Sequence, residues 1–302
     1  SATKSLGEAL RTEYGAASGS LRWEVAGQLR AALWDLALAL EDARLAREAL
    51  DVSSRVAEIV GRRHDLGDAA LRDVLLAQSA ELEARTALIN AEAGVVDAEW
   101  TYRALTGMNL RPAFRPESQS SRLDIAPDHP ALTLADAEIL RAESLVDLAE
   151  TSSSSGPSLL LGPRRERAAG AGSFDDSIGI TMSVPFGPSG QRKTHVAEAR
   201  RDLTQASARR ARILRRLNLE RHEAAHGLAV ARDSLEPARG QADLAERQQR
   251  MGLLAYEKGE IELIELLRLQ GMALAAQRRS RRLAIEENRQ IAFYNQAVGE
   301  LP

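Results

Sequence analysis

Gly67-Asp68-Ala69-Ala70-Leu71-Arg72-Asp73-Val74-Leu75 and Gly259-Glu260-Ile261-Glu262-Leu263-Ile264-Glu265-Leu266-Leu267 decide the architecture, because they are one pattern written twice. The copies stand 192 residues apart, and the same offset carries Gln78 onto Gln270, Tyr102 onto Tyr294 and Gly107 onto Gly299 without a gap. Chance agreement between helical sequences would match alanines. Two glycines, a tyrosine and an acid-apolar-apolar triplet point instead to duplication of a long module, not a short solenoid repeat.

Working outward, each copy reads as a long helix, a tight turn at the glycine and a second long helix. Glycine suits the turn because positive φ is often needed there. Asp68 and Glu260, just after it, favour the positive end of a new helix. The helical stretches are 3–65, 68–105, 133–150, 191–255 and 260–297, with Gly15 and Gly19 weakening the early turns of the first. Leu29, Leu33, Leu36, Leu40 and Ala43 alternate four and three apart, the seam of helices packed side by side. A helix of about 60 residues would extend ~90 Å, against a usual length of ~11–12 residues. No compact domain of this size buries such an element, so neighbouring subunits are expected. Trp23, Trp34 and Trp100 read as helix-packing anchors, and Pro237 predicts a kink.

Composition narrows the function. Lys and Arg number 40 against 43 Asp and Glu, so no basic excess exists to neutralise a nucleic-acid backbone. Aromatics at 4% fit long packed helices better than a thick globular core. With no cysteine there is no disulfide framework and no thiolate metal site, which is compatible with a periplasm. Residues 1–4 show no charged-then-apolar signal segment. No apolar run reaches the ~18 residues of a membrane helix, so any entry into a membrane must be through strands.

The texture changes between 151 and 188. Thr151-Ser152-Ser153-Ser154-Ser155-Gly156-Pro157 breaks the helix, Ser158-Leu159-Leu160-Leu161 can form a strand, and 164–172 reads as a charged, Gly-rich loop. Then Ile178, Ile180, Met182 and Val184 alternate with small or polar residues, the period of a strand with one apolar face. Eight residues approach the ~9–11 of a tilted membrane strand. A hairpin packed on a soluble core is the other reading, and a lipid setting requires closure with further strands.

With the two turns, the terminal Thr106-Gly107 and Val298-Gly299, and the strand exit Val184-Pro185-Phe186-Gly187, the chain resembles the TolC-like outer-membrane efflux protein family over about residues 21–301. The resemblance implies a mainly α fold: long antiparallel coiled-coil hairpins in two tandem repeats, trimerising into an α-barrel, with a small β-hairpin contributing to an outer-membrane β-barrel. It implies the divisions 1–107 (first repeat), 108–155 (connector and short helix), 156–187 (β-hairpin) and 188–302 (second repeat). The implied function is a passive channel of a tripartite efflux pump in the outer membrane and periplasm of a Gram-negative bacterium. Its partners would be two further copies, a periplasmic adaptor (membrane fusion protein), an inner-membrane pump and outer-membrane lipid, with no nucleic acid and no cofactor. Leu66, Gly67, Asp68, Lys258, Gly259 and Glu260 fall on the tips that meet the adaptor. Asp73, Tyr256 and Glu265 fall on the pore gate, where three copies of Glu265 would attract cations.

Two departures stand out. Arg268 follows Glu265 by three residues and can pair with it, which competes with an acidic ring. The chain also starts near the exit of the family's first hairpin and so supplies two strands where four are usual. Six strands from three copies would make a barrel too narrow for a wide channel, which suggests a partial chain. A soluble periplasmic coiled-coil adaptor or structural protein is the alternative, although an adaptor should carry one helical hairpin and not two.

His222-Glu223-Ala224-Ala225-His226 fits the H-E-x-x-H pattern, in which two imidazoles one turn apart hold zinc and the Glu is a general base. Its place in a long Arg-rich helix, with Leu228-Ala229-Val230 where a longer zinc motif needs Gly and His, argues for a surface pair. A zinc metalloprotease is therefore the remote alternative, and neither a catalytic residue nor a metal site is assigned. His64, His129 and His195 stand alone.

Overall fold

The computed structural model describes residues 2–109, 113–151, 158–167, 174–184 and 190–301. Their elements are α1 (Ala2–Asp65), α2 (Leu71–Thr106), α3 (Pro130–Thr151), β1 (Ser158–Glu166), β2 (Asp175–Ser183), α4 (Gly190–Glu257) and α5 (Leu263–Ala297). Both α2 and α5 begin three residues later than the sequence reading placed them. The cause is that Ala70 (ψ 151°) and Glu262 (ψ 158°) are extended N-caps, so the turn includes the residues after each glycine. Helix α4 runs on through Pro237, whose missing amide removes one helical bond without ending the helix.

The duplication is visible bond by bond. Gly67 N donates to His64 O at 2.9 Å and Gly259 N to Tyr256 O at 3.0 Å. Asp68 N to Arg63 O and Glu260 N to Ala255 O are both 2.8 Å, and Val74 N to Ala70 O and Leu266 N to Glu262 O are both 3.3 Å. The positive-φ residues of the described chain are the four repeat glycines, at 84° (Gly67), 74° (Gly259), 68° (Gly107) and 90° (Gly299).

The chain groups into two units. One comprises Ser1–Leu21 and Pro130–Arg215. Here α3 is tied to α1 by Arg141–Glu13 at 3.0 Å, and to α4 by Arg200–Glu150 at 2.7 Å and Arg209–Glu138 at 3.2 Å. The β-hairpin pairs Leu159 with Met182, Leu161 with Ile180 and Pro163 with Ile178 on one face, all antiparallel. Strand β1 does not give way to a loop at Arg164, as the sequence reading had it. Arg165 pairs with Asp176 across the ladder, joined by a 2.7 Å salt bridge, and Pro163 is tolerated because neither strand is a central one. The 152–157 break, the remainder of the 164–172 loop beyond Arg167, and Pro185-Phe186-Gly187 lie outside the described residues.

The other unit comprises Arg22–His129 and Arg216–Pro302. The α1 seam turns inward, from half-buried Leu29 to buried Leu36 and Ala43. Helix α1 is tied to α2 by Arg47–Glu92 at 2.6 Å and to α5 by Arg278–Asp42 and Arg289–Asp35, both 3.1 Å, while α4 meets α5 through Arg232–Glu287 at 3.0 Å. Trp23 and Trp34 are buried anchors as expected, but Trp100 is 68% exposed. It lies on the α2 face that turns away from α1.

Where α5 ends, the connector is strapped down by a buried polar network. Arg30, 3% exposed, grips Glu117 with two bonds of 2.8 and 2.7 Å and also donates to Gln296 Oε1 (2.6 Å) and Glu300 O (2.9 Å). Asn295 accepts from Ser120 N at 2.8 Å and donates to Ser118 O at 2.9 Å, and the Tyr294 hydroxyl donates to Arg122 O at 2.6 Å. Each buried charge or amide thus has partners, which is what makes such a network stable. His129 completes it, fully buried and edge-on to Trp23 at 4.7 Å.

Two outcomes follow for stability. A Cβ at Gly107 meets nothing within 4 Å, whereas one at Gly299 would lie 2.8 Å from His129 Cδ2. Gly107→Ala is expected to cost about 1 kcal/mol from positive φ alone, and Gly299→Ala a further 1–3 kcal/mol, roughly, from the clash; urea titration measures both. Burial pushes the His129 pKa down from 6.5 to about 4. The unfolded chain therefore takes up the proton first, so the stability held above pH 6.5 is lost as pH falls toward 4, by up to about 3 kcal/mol. His129→Gln should flatten that part of the pH–stability curve.

Candidate functional site

The two turns of the duplicated hairpins meet at one end of the second unit. Beneath them the last turns of α1 and α4 and the first turns of α2 and α5 close over Val56, Val60, Ala77, Tyr256, Leu263 and Leu266. Above this core every residue of Asp65–Asp68 and Glu257–Glu260 is exposed, Leu66 at 78%. The six tip residues read from the sequence therefore form a solvent-facing surface on a packed base. Leu66 is an apolar knob among Asp65, Asp68, Glu257, Lys258 and Glu260.

Arg63 joins the two turns. Its Nη1 donates to Tyr256 O at 2.8 Å, and its guanidinium sits 5.0 Å from the centre of the Tyr256 ring. The carbonyl lies at the C-terminal end of α4, where the helix dipole favours a cation. This residue carried no motif signal. Its repeat mate is Ala255, so the one trace in the sequence is a place near the turn where the copies differ.

The three residues expected from the sequence at a gate do not share one environment. Tyr256 is buried, and burial pushes its phenol above the ordinary value, with Arg63 opposing and the Asp73 charge adding to the rise. The Asp73 carboxylate itself accepts from Arg72 Nη2 at 3.2 Å. Glu265 is turned to solvent and gripped by Arg268 through two bonds, Nη2 to Oε1 at 2.6 Å and Nε to Oε2 at 2.8 Å. That fork holds the Glu265 carboxyl below its ordinary pKa and offsets its charge. A cavity of about 400 Å³ between α1, α4 and α5, floored by Val52, Val56 and Leu274, is lined by none of these residues.

The H-E-x-x-H residues assemble differently from a zinc protease. His222 and His226 are exposed and stacked, but Glu223 lines a separate groove with Glu220, Gln290 and Phe293, facing α5. Among the described residues no group of three His, Asp or Glu side chains is placed to hold a metal ion.

No protein-family model matches the chain, and no curated protein matches it. Solved structures do. The Campylobacter jejuni CmeC outer membrane channel superposes with a TM-score of 0.81 at 17% identity, over 99% of this chain and 68% of that one. The outer membrane protein VceC of Vibrio cholerae gives 0.81 at 16%, covering 99% and 75%, and the outer-membrane channel OprN gives 0.79 at 18%, covering 98% and 70%. The chain has the fold of the TolC-like outer-membrane efflux channels, with two tandem helical hairpins and a small β-hairpin.

Replacing Arg268 by Gln should return the Glu265 carboxyl to its ordinary pKa near 4.5. The check is a carboxyl-carbon NMR titration, in which an unchanged midpoint would show that the fork is not formed in solution.

Proposed function

We propose that this chain is the protomer of a trimeric outer-membrane efflux channel that conducts passively what an inner-membrane pump delivers. In this reading the exposed tips at Leu66–Asp68 and Lys258–Glu260 receive a periplasmic adaptor. Arg63, Asp73 and Tyr256 belong to the network that holds the entrance closed, and the β-hairpin joins further strands in the outer membrane. The chemistry is transport, not catalysis.

The observation that carries this reading is a pair of apolar seams with no partner among the described residues. On α2, Leu75, Leu82, Ile89 and Val96 recur every seven residues with Leu71 and Trp100 at the ends, all exposed. On α4, Val230, Leu244 and Met251 keep the same period and are exposed too. Heptad spacing is the signature of a helix awaiting a neighbouring helix. Because the two seams differ, the contact between copies is head-to-tail, the kind that forms a ring when its rotation closes. Each Leu or Ile buried this way contributes roughly 1.5–3 kcal/mol, which favours association strongly when summed along a helix.

Light scattering of the full-length protein in detergent should give a trimer, with Ile89→Glu shifting it toward monomer; a monomeric parent protein would overturn the reading. In planar bilayers Asp73→Ala combined with Tyr256→Phe should raise the leak conductance of the full-length channel. Unchanged conductance would remove those two residues from the closing network.

A further inference from the structure

We propose that His222 and His226 form a bidentate site for a first-row divalent transition-metal ion, such as Ni²⁺, Cu²⁺ or Zn²⁺, on the outward face of α4. The two residues stand one helical turn apart, with ring centres 6.3 Å apart and ring planes inclined by only 6°. Metal–imidazole bonds of ~2.0–2.1 Å, plus roughly 1.2 Å from nitrogen to ring centre, let two rings share an ion when their centres are within about 6.5 Å. That limit is for a linear angle at the metal; at a tetrahedral angle the centres stand about 5.4 Å apart, so the parallel rings must approach by about 1 Å and tilt toward one another. Rotation about the exposed side-chain torsions then brings the nitrogens to a tetrahedral or square-planar angle. Imidazole is a ligand that suits Ni²⁺, Cu²⁺ and Zn²⁺ over Mg²⁺ or Ca²⁺, which prefer oxygen.

The pair also stands on a rigid backbone and is available. Both rings project from one continuous helix, so binding orders no loop and loses little conformational freedom. Among the described residues no hydrogen bond or ion pair engages either ring. The other histidines differ: His129 is buried, His64 Nδ1 is bonded to Ala69 O at 2.8 Å, and His195 lies 3.7 Å from Glu198. Glu223 faces α5, so water fills the remaining coordination positions and the site is a chelate without a general base. It lies on the stretch of α4 between Leu219 and Val230, both exposed. It is made by one chain and does not depend on the channel reading.

Calorimetric titration of the untagged full-length protein with Ni²⁺ at neutral pH tests it. One equivalent is expected per chain. His222→Gln and His226→Gln should each weaken binding by about tenfold or more, because a single imidazole loses the chelate. Glu223→Gln should leave it unchanged, and circular dichroism should show all three variants as helical as the parent. Undiminished Ni²⁺ binding in the His222→Gln/His226→Gln double variant would overturn the site. So would a loss in Glu223→Gln as large as in the histidine variants, since the carboxylate would then be a ligand.

Discussion

A 36-residue helix that buries only Ala77 and Tyr102 among its own side chains is the constraint from which the rest of the structure takes its meaning. Helices draw most of their stability from packing an apolar face, and propensity alone does not sustain one of this length. Helix α2 packs α1 through a seam of half-buried residues and turns a second apolar stripe outward. Helix α4 buries far more, from Leu217 to Tyr256, yet it too turns apolar side chains outward at Val230, Leu244 and Met251. What these helices lack is not internal order but apolar cover, which in the ring proposed above a head-to-tail neighbour would provide for both.

The polar network at the far end of α5 solves a complementary problem. A connector without secondary structure has backbone groups that no ladder satisfies. Asn295 and Tyr294 supply those bonds from α5, and Glu117 of the connector gives the buried Arg30 guanidinium its counter-charge. The network fixes the connector against α1 and α5 mainly by side chains, joined by a backbone bond from Ala126 N to Val298 O at 3.3 Å, at the place where the duplicated module ends.

Much of the fold was legible because duplication leaves a register. The offset that matched Gly67 with Gly259 located both turns and both hairpins, while the positive φ of Gly107 and Gly299 was seen only in the structure. What periodicity could not show was how a residue meets distant ones. Arg63 is one arginine among many until the turns abut. Arg268 closes on Glu265, a possibility that spacing raised and only geometry decides. Trp100 looks like an anchor by residue type, yet it faces outward, because which side of α2 meets α1 is set by contacts across the hairpin. Strand β1 extends past Pro163 because its partner strand supplies the order that local propensity withholds.

The matched backbone bonds at the two turns have a consequence for how the tips can change over time. His64 occupies in the first hairpin the place of Tyr256 in the second, and Arg63 the place of Ala255, while the main chain around them is superimposable bond for bond. A scaffold that tolerates such different side chains leaves each tip free to acquire its own surface chemistry without refolding. In the ring of three copies proposed above, six turns of one shape would alternate between two characters, a threefold pattern of recognition on a sixfold frame.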